Sequence, residues 1–113
     1  MNLTYAYTFL FFAIVFEVVA TSFLKDTYGF TRLYPSLIVV TALCICLFLM
    51  SHVMKIIPVG IVYATWAGLG IVGITIIAVI KYKQVPNIPT MIGLSLIVAG
   101  VIIVHLMNDI KVE

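Results

Sequence analysis

Long stretches without charge dominate the pattern of apolar and polar positions along the chain. Residues 33–54, 56–80 and 84–108 contain no Asp, Glu, Lys or Arg, and residues 1–24 contain a single one, Glu17. Roughly 20 apolar residues, rising about 1.5 Å each, cross a bilayer core about 30 Å thick. The pattern therefore predicts four transmembrane helices, which span about residues 4–24, 34–54, 57–80 and 87–107.

Helices are favoured over a barrel, because backbone polar groups in lipid must bond within one segment or around a closed sheet. A β-barrel would need roughly ten-residue segments of alternating polarity, and the sequence lacks them. Turn-forming residues such as Gly29, Pro58 and Pro86 mark short joints, so consecutive helices must run antiparallel. The chain, 1–113, is thus expected to be a single four-span transmembrane domain of an all-α integral membrane protein.

The composition strengthens the membrane assignment. Of the 113 residues, 65% are apolar and 9% are charged, whereas soluble proteins carry roughly 25% charged residues. The same figures exclude disorder, and a net charge of +2 without a basic run excludes a nucleic-acid binder. Cys44 and Cys46 lie on different helix faces and are expected to pack rather than to bind metal. No phosphate loop or nucleophile–base motif occurs, so neither an enzyme nor a cofactor is expected.

The basic residues that flank the spans give only a weak orientation signal. Lys and Arg prefer the cytoplasmic side of a membrane, and the two sides carry four and two of them. Those on the side of the first and third loops are Lys25, Arg32, Lys81 and Lys83, and those on the other side are Lys55 and Lys111. Two interpretations stay open: one orientation with the first and third loops in the cytoplasm, or insertion in both orientations.

Glu17 is the one charged residue near the middle of a span. An acid at that depth costs about 2.5–3.5 kcal/mol, so it is a candidate functional residue, although a structural contact between helices is the alternative. Desolvation disfavours the charged form of an unpaired carboxyl, so a proton and a cationic ligand are expected to compete for it. His52 and His105 fall near span ends and are expected to be interfacial residues rather than partners of Glu17.

Small and aromatic residues accompany Glu17. Ala13 and Thr21 lie four positions before and after it and therefore share its helix face. In the third span, Tyr63 and Trp66 lie on one face beside small residues. An aromatic ring attracts a cation by about 0.5–2 kcal/mol, so this face is a candidate cation site, with plain core packing as the alternative.

Glycines in the third and fourth spans have two interpretations. Gly68 and Gly70 either permit close approach of another helix or weaken their own helix so that it bends. The fourth span has a stripe of small and apolar residues on one face, which is typical of helix association. We expect this face to form a dimer interface, with packing inside one subunit as the alternative. Its residues are Gly93, Leu96, Ile97 and Gly100.

Several stretches together resemble one family, the small multidrug resistance transporters, over essentially the whole chain. The matching stretches are FEVVAT at 16–21, GFTRLYPS at 29–36, IPVGIVYATWAGLG at 57–70, and the Ile92-Gly93 and Ala99-Gly100 pairs. The resemblance implies an antiparallel, dual-topology homodimer of four-helix subunits in the bacterial inner (plasma) membrane. It also implies exchange of protons for hydrophobic or quaternary ammonium cations by alternating access.

The resemblance implies roles for individual residues as well. Glu17 matches the family carboxylate that binds protons and substrate in turn, and Tyr63 and Trp66 match aromatic residues of the substrate site. Ala13 and Thr21 would line the same site. By the same resemblance, Gly68 and Gly70 would form a bend in the third helix and the fourth-span face would dimerise.

Two positions favour the quaternary ammonium branch of that family. Guanidinium exporters typically have Trp where this chain has Ala20, and Trp-Thr-Gly where it has Trp66-Ala67-Gly68. The alternatives are a guanidinium-type metabolite exporter and one subunit of a paired heterodimer. From another class, a structural or chaperone-like membrane subunit is the third hypothesis.

Overall fold

Four long α-helices joined by short connections make up the computed structural model, which describes residues 2–107. The helices are α1 (Leu3–Leu24), α2 (Leu33–Val53), α3 (Val59–Tyr82) and α4 (Ile88–Met107). Each is long and apolar enough to cross a membrane. The predicted all-α architecture with four membrane-spanning helices is confirmed, and every helix end lies within two residues of its predicted position. Lys111, one of the residues in the charge count, lies outside the described residues.

The first connection reverses the chain within a few residues. A 3₁₀ turn, Lys25–Thr27, follows α1, and Tyr28, Gly29 and Phe30 then adopt positive φ angles of 48°, 71° and 64°. Only glycine enters this region without a steric cost. Thr27 supports the turn, because its buried hydroxyl donates to the Leu24 carbonyl at 2.8 Å and accepts from the Phe30 amide at 3.2 Å.

The core lies where α1, α2 and α3 meet, because α1 offers small side chains to both neighbours. Ala6 and Ala13 are completely buried in one cluster, and Ala20 is buried in a second cluster with Val39 and Ala42 of α2. Small side chains let membrane helices approach closely. In contrast, Val101 is the one buried residue described in α4, so this helix leaves most of its apolar surface uncovered.

Polar contacts join the C-terminal ends of α1 and α3. Lys81 Nζ donates to the Ser22 carbonyl at 3.0 Å and pairs with Asp26 Oδ2 at 2.5 Å. The Tyr82 hydroxyl donates to the same Ser22 carbonyl at 2.8 Å. Since the last carbonyls of a helix lack partners within it, α3 supplies donors that α1 needs at this end.

Tyr82→Phe is expected to lower the free energy of unfolding by about 0.5–1.5 kcal/mol, the usual net value of one hydrogen bond. The loss should fall toward the lower end, because Lys81 still donates to the Ser22 carbonyl. Unfolding in detergent micelles measures it. Tyr34→Phe is the matched control, because Tyr34 is 76% exposed and makes no hydrogen bond within residues 2–107. Equal stability of the two variants would show that the Tyr82 contact contributes nothing.

Candidate functional site

Glu17 lies on the half-buried face of α1 that turns toward α3, well inside the span. Its Oε1 accepts a hydrogen bond from the Thr21 hydroxyl at 2.8 Å, one helical turn later. Its Oε2 is buried and has no hydrogen-bond partner among the described residues. Within residues 2–107 the one salt bridge is Lys81–Asp26, so no cationic side chain neutralises this carboxyl.

Gly70 of α3 provides the surface opposite the carboxylate. A methyl group placed on the Gly70 Cα would lie 2.7 Å from Glu17 Oε2, which is closer than real side-chain contacts. One turn further along, a methyl group on Gly73 would lie 2.8 Å from Cγ2 of Val18. The absence of side chains at both glycines therefore brings α1 and α3 close together around the carboxylate.

Gly68 faces a different neighbour, α4. A methyl group on Gly68 would overlap Cγ2 of Val101 and approach Cγ2 of Ile97 at 3.7 Å. α3 runs as one helix through Gly68 and Gly70. Both glycines thus allow another helix to approach α3 closely in this structure. The bend at Gly68 and Gly70 that the resemblance implies stays a prediction.

Tyr63 and Trp66 form an aromatic pair on α3. Their ring centroids are 5.5 Å apart and the ring planes meet at 69°. Tyr63 is 60% exposed, whereas Trp66 is half-buried against the core cluster that contains Ala13 and Cys46. The indole Nε1 of Trp66 is buried without a hydrogen-bond partner in the described part of the chain.

Some of the predicted site residues contact each other, whereas others lie in the core or at the surface of the subunit. Glu17 and Thr21 touch each other directly, and the Glu17 carboxylate faces Gly70. Trp66 packs against the core cluster that contains Ala13, and Tyr63, in contact with the Trp66 ring, is exposed at the surface of the subunit. Ala13 is completely buried in the core, so in this single subunit it packs against other side chains and borders no open space.

The predicted dimer face of α4 is largely open. Methyl groups on Gly93 or Gly100 would meet no atom within 4 Å, and Leu96 is 68% exposed. Ile97 differs, because its side chain also approaches Gly68 of α3. This face is available for association with another molecule, with Ile97 at the edge of the contact inside the subunit.

His105 makes contacts that the sequence did not suggest. Its ring lies between the Tyr7 hydroxyl of α1, at 3.2 Å, and the Thr65 hydroxyl of α3. The expectation that His105 does not pair with Glu17 agrees with these contacts. A search of the sequence for polar residues at the same membrane depth in different spans would include His105. Depth alone, however, does not show which of these residues are in contact.

The arrangement leaves one carboxylate oxygen of Glu17 without a compensating partner among residues 2–107. One carboxylate oxygen is held by Thr21 and the other is free of partners. A lone buried acid is stabilised by either a proton or a positively charged ligand. The aromatic pair of Tyr63 and Trp66 on α3 suits a cation with an apolar surface.

Comparison with known proteins points the same way. The family model described as Small Multidrug Resistance protein matches residues 5–97. The quaternary ammonium compound-resistance protein QacG of Staphylococcus sp. (strain ST94) is 43% identical over 103 residues, which cover 91% of this chain and 96% of that protein. QacE of Escherichia coli, described in the same words, is 46% identical over 100 residues, 88% and 91% of the two chains. A multidrug transporter of Pseudomonas aeruginosa is 40% identical over 102 residues, 90% and 93% of the two chains.

Proposed function

We propose, from the premise that the chain belongs to the small multidrug resistance family, that it exports hydrophobic and quaternary ammonium cations in exchange for protons. Membership makes it a membrane transporter of the multidrug efflux type and not an enzyme. The exchange with protons, and the competition of proton and cation for Glu17, are the steps that we propose beyond membership.

The observation that carries this proposal is the unpartnered Oε2 of Glu17. A carboxylate deep in a membrane is costly unless a proton or a cation compensates it, and no described side chain supplies that charge. When a cation arrives, the proton must leave, because the two occupy the same oxygen. Energy stored in a proton gradient can thereby be coupled to the export of a cation.

We assign substrate selection to the aromatic pair on α3. Tyr63 and Trp66 offer aromatic surface, which attracts cations with delocalised or alkyl-shielded charge. The names of the relatives give quaternary ammonium resistance as their activity. We assign Glu17, Tyr63 and Trp66 to direct contact with the cation, Thr21 to orienting the carboxylate, and Ala13 to the packing that supports it.

An antiparallel homodimer is the assembly that suits this site. A single subunit leaves Tyr63 and the face around Gly93, Leu96 and Gly100 uncovered. Two copies inserted in opposite orientations would create the inverted symmetry that other transporters build from internal repeats. α4 would then provide the dimer contact, and a bend near Gly68 and Gly70 would let the two subunits exchange conformations as access alternates.

Two alternatives remain within the same family. A guanidinium-type exporter would carry a small planar cation, and a paired heterodimer would need a second four-span chain. An alanine in place of tryptophan at position 20 would suggest a roomier site, yet Ala20 is 1% exposed and packs against Val39 and Ala42 of α2. The preference for bulky cations therefore depends on the aromatic pair and on the relatives, and not on open space at Ala20.

A substrate panel on the reconstituted protein tests the proposal. We expect proton release on addition of tetraphenylphosphonium or a quaternary ammonium compound, and none on addition of guanidinium, because only the former present apolar surface to the aromatic pair. The opposite preference would select the guanidinium alternative. Release that requires co-reconstitution with a second four-span chain would select the heterodimer, and transport without any proton release would exclude the proposed exchange.

A further inference from the structure

We propose that His105 is a positioning residue of the transporter. In its neutral form, with the proton on Nε2, it links Tyr7 of α1 to Thr65 of α3 and holds α4 against both helices. The geometry that supports this is a short chain of hydrogen-bonding groups. The Tyr7 hydroxyl lies 3.2 Å from Nδ1, and the Thr65 hydroxyl lies within hydrogen-bond reach of Nε2.

The position of the proton follows from the partners of Thr65. Its hydroxyl donates to the Ile61 carbonyl at 2.8 Å, which uses its only proton. With its proton on that carbonyl, the Thr65 oxygen accepts from His105, and we assign the imidazole proton to Nε2 on this basis. A neutral imidazole with its proton on Nε2 has an acceptor at Nδ1, and the Tyr7 hydroxyl then donates to it. Every donor in this chain thereby meets an acceptor.

The charged form of His105 would break this arrangement. An imidazolium donates from both nitrogens, so the Tyr7 hydroxyl would lose its acceptor. The titratable group that faces His105 from α1 is Tyr7, and Thr65 faces it from α3 without being titratable. The three border a cavity of about 360 Å³ whose other described lining residues are all apolar.

α4 is the least buried of the four helices, so few other contacts fix its position. Val101 is its one buried residue in the described region. In its other hydrogen bonds that involve side chains, the Thr90 amide donates to Asn87 Oδ1 and the Ser95 hydroxyl donates to the Met91 carbonyl, so both stay local. His105 therefore supplies the hydrogen bonds that connect α4 to other helices within residues 2–107. The contact lies near the end of α4 opposite to the Lys81–Asp26 pair.

The role in transport rests on the proposed function. Thr65 precedes Trp66 on α3, and Tyr7 lines the same cavity as Ile14, which lies one turn before Glu17 on α1. Holding Tyr7 and Thr65 at fixed separation therefore fixes how α1 and α3 present their site residues. Loss of the link is expected to weaken substrate binding without removing the carboxylate itself.

Nitrogen-15 spectra of the full-length, histidine-labelled protein in lipid bicelles test the assignment at neutral pH. We expect a protonated Nε2 and an unprotonated Nδ1 for His105. Tyr7→Phe should shift the Nδ1 resonance and Thr65→Val the Nε2 resonance. Tyr5→Phe and Thr75→Val are matched controls, because neither side chain bonds to another helix in the described structure, and they should shift neither resonance. A proton on Nδ1, an imidazolium, or spectra indifferent to both site variants would overturn the proposal.

Transport by two further variants tests the positioning role. His105→Gln keeps a donor and an acceptor and should transport with a half-saturating substrate concentration within about twofold of the parent. His105→Leu should raise that concentration about three- to tenfold, as loss of one or two hydrogen bonds predicts. His52→Leu is the control, because His52 contacts the rings of Phe9 and Phe48 instead. Equal half-saturating substrate concentrations for His105→Leu and the parent would exclude a positioning role.

The two readouts separate this inference from the proposed function. The spectra require no transport, so a protein that released no protons would refute the exchange mechanism and leave the tautomer assignment intact. Should His105→Leu fail to fold, the Gln variant and the spectra of Tyr7→Phe still decide the question.

Discussion

Glu17→Gln is expected to abolish proton release when a quaternary ammonium compound is added to the protein. An amide has no proton to exchange in this pH range, so binding of a cation can no longer displace one. Affinity for the cation should also fall by about 10- to 100-fold, because an interaction with a charged group is worth about 1.5–3 kcal/mol. Proton release from detergent-solubilised protein, recorded with a pH-sensitive dye, measures the first effect, and equilibrium binding measures the second.

Asp26→Asn is the matched control for this substitution. It also removes one acidic group, but Asp26 lies beyond the end of α1 and pairs with Lys81, away from the proposed site. We expect this variant to release protons as the parent does. Proton release and transport by Glu17→Gln at parental levels would refute the exchange mechanism. A structural subunit would be favoured if the parent chain did not transport and Glu17→Gln failed to assemble with a partner protein.

The helices could be predicted because charge marks their ends so clearly. Nine of the ten charged residues lie at or near the ends of apolar stretches, where water or headgroups can solvate them. Glu17 stands out against this background by position alone, and helical spacing correctly places Thr21 on its face. Helical spacing does not predict which residue of another helix faces Glu17. The spans are apolar on all sides, so the sequence does not show which face of each helix points inward.

The glycines show this limit most directly. The sequence permitted either close approach or a bend at Gly68 and Gly70, and it did not reveal that they face different helices. Only the packing shows that Gly68 meets Val101 of α4 whereas Gly70 meets the carboxylate of Glu17. The same holds for His105, whose depth was predictable but whose contacts depend on the rotation of three helices about their axes.

The count of basic residues likewise does not predict which groups these residues contact. It treats Lys81 as one basic residue among four on its side of the membrane, yet Lys81 contacts Asp26 and the Ser22 carbonyl. The pairing depends on the C-terminal ends of α1 and α3 meeting, which the order of spans implies only in outline. The sequence therefore predicts which helix end a charge lies at better than it predicts the partner of that charge.

Gly70→Ala is expected to weaken cation binding about tenfold while leaving the fold intact. The added methyl group would lie 2.7 Å from Glu17 Oε2, so the carboxylate must move. Because Oε2 is the far end of a flexible side chain, this movement costs little folding free energy. Replacing a helical glycine by alanine also contributes about 0.5–1 kcal/mol of stability. Equilibrium cation binding and unfolding in detergent, measured on the same preparation, separate the two effects.

Gly60→Ala is the matched control on the same helix, since a methyl group there meets no atom within 4 Å. Glu17→Asp provides the decisive comparison. Its carboxylate is one methylene shorter and would retreat from position 70, so the Gly70→Ala substitution should cost less binding in that background. Such non-additivity is the signature of two residues in contact. Binding by Gly70→Ala equal to that by Gly60→Ala would mean that the carboxylate does not use the space opposite Gly70, and the position of Oε2 against α3 would lose its role in the mechanism.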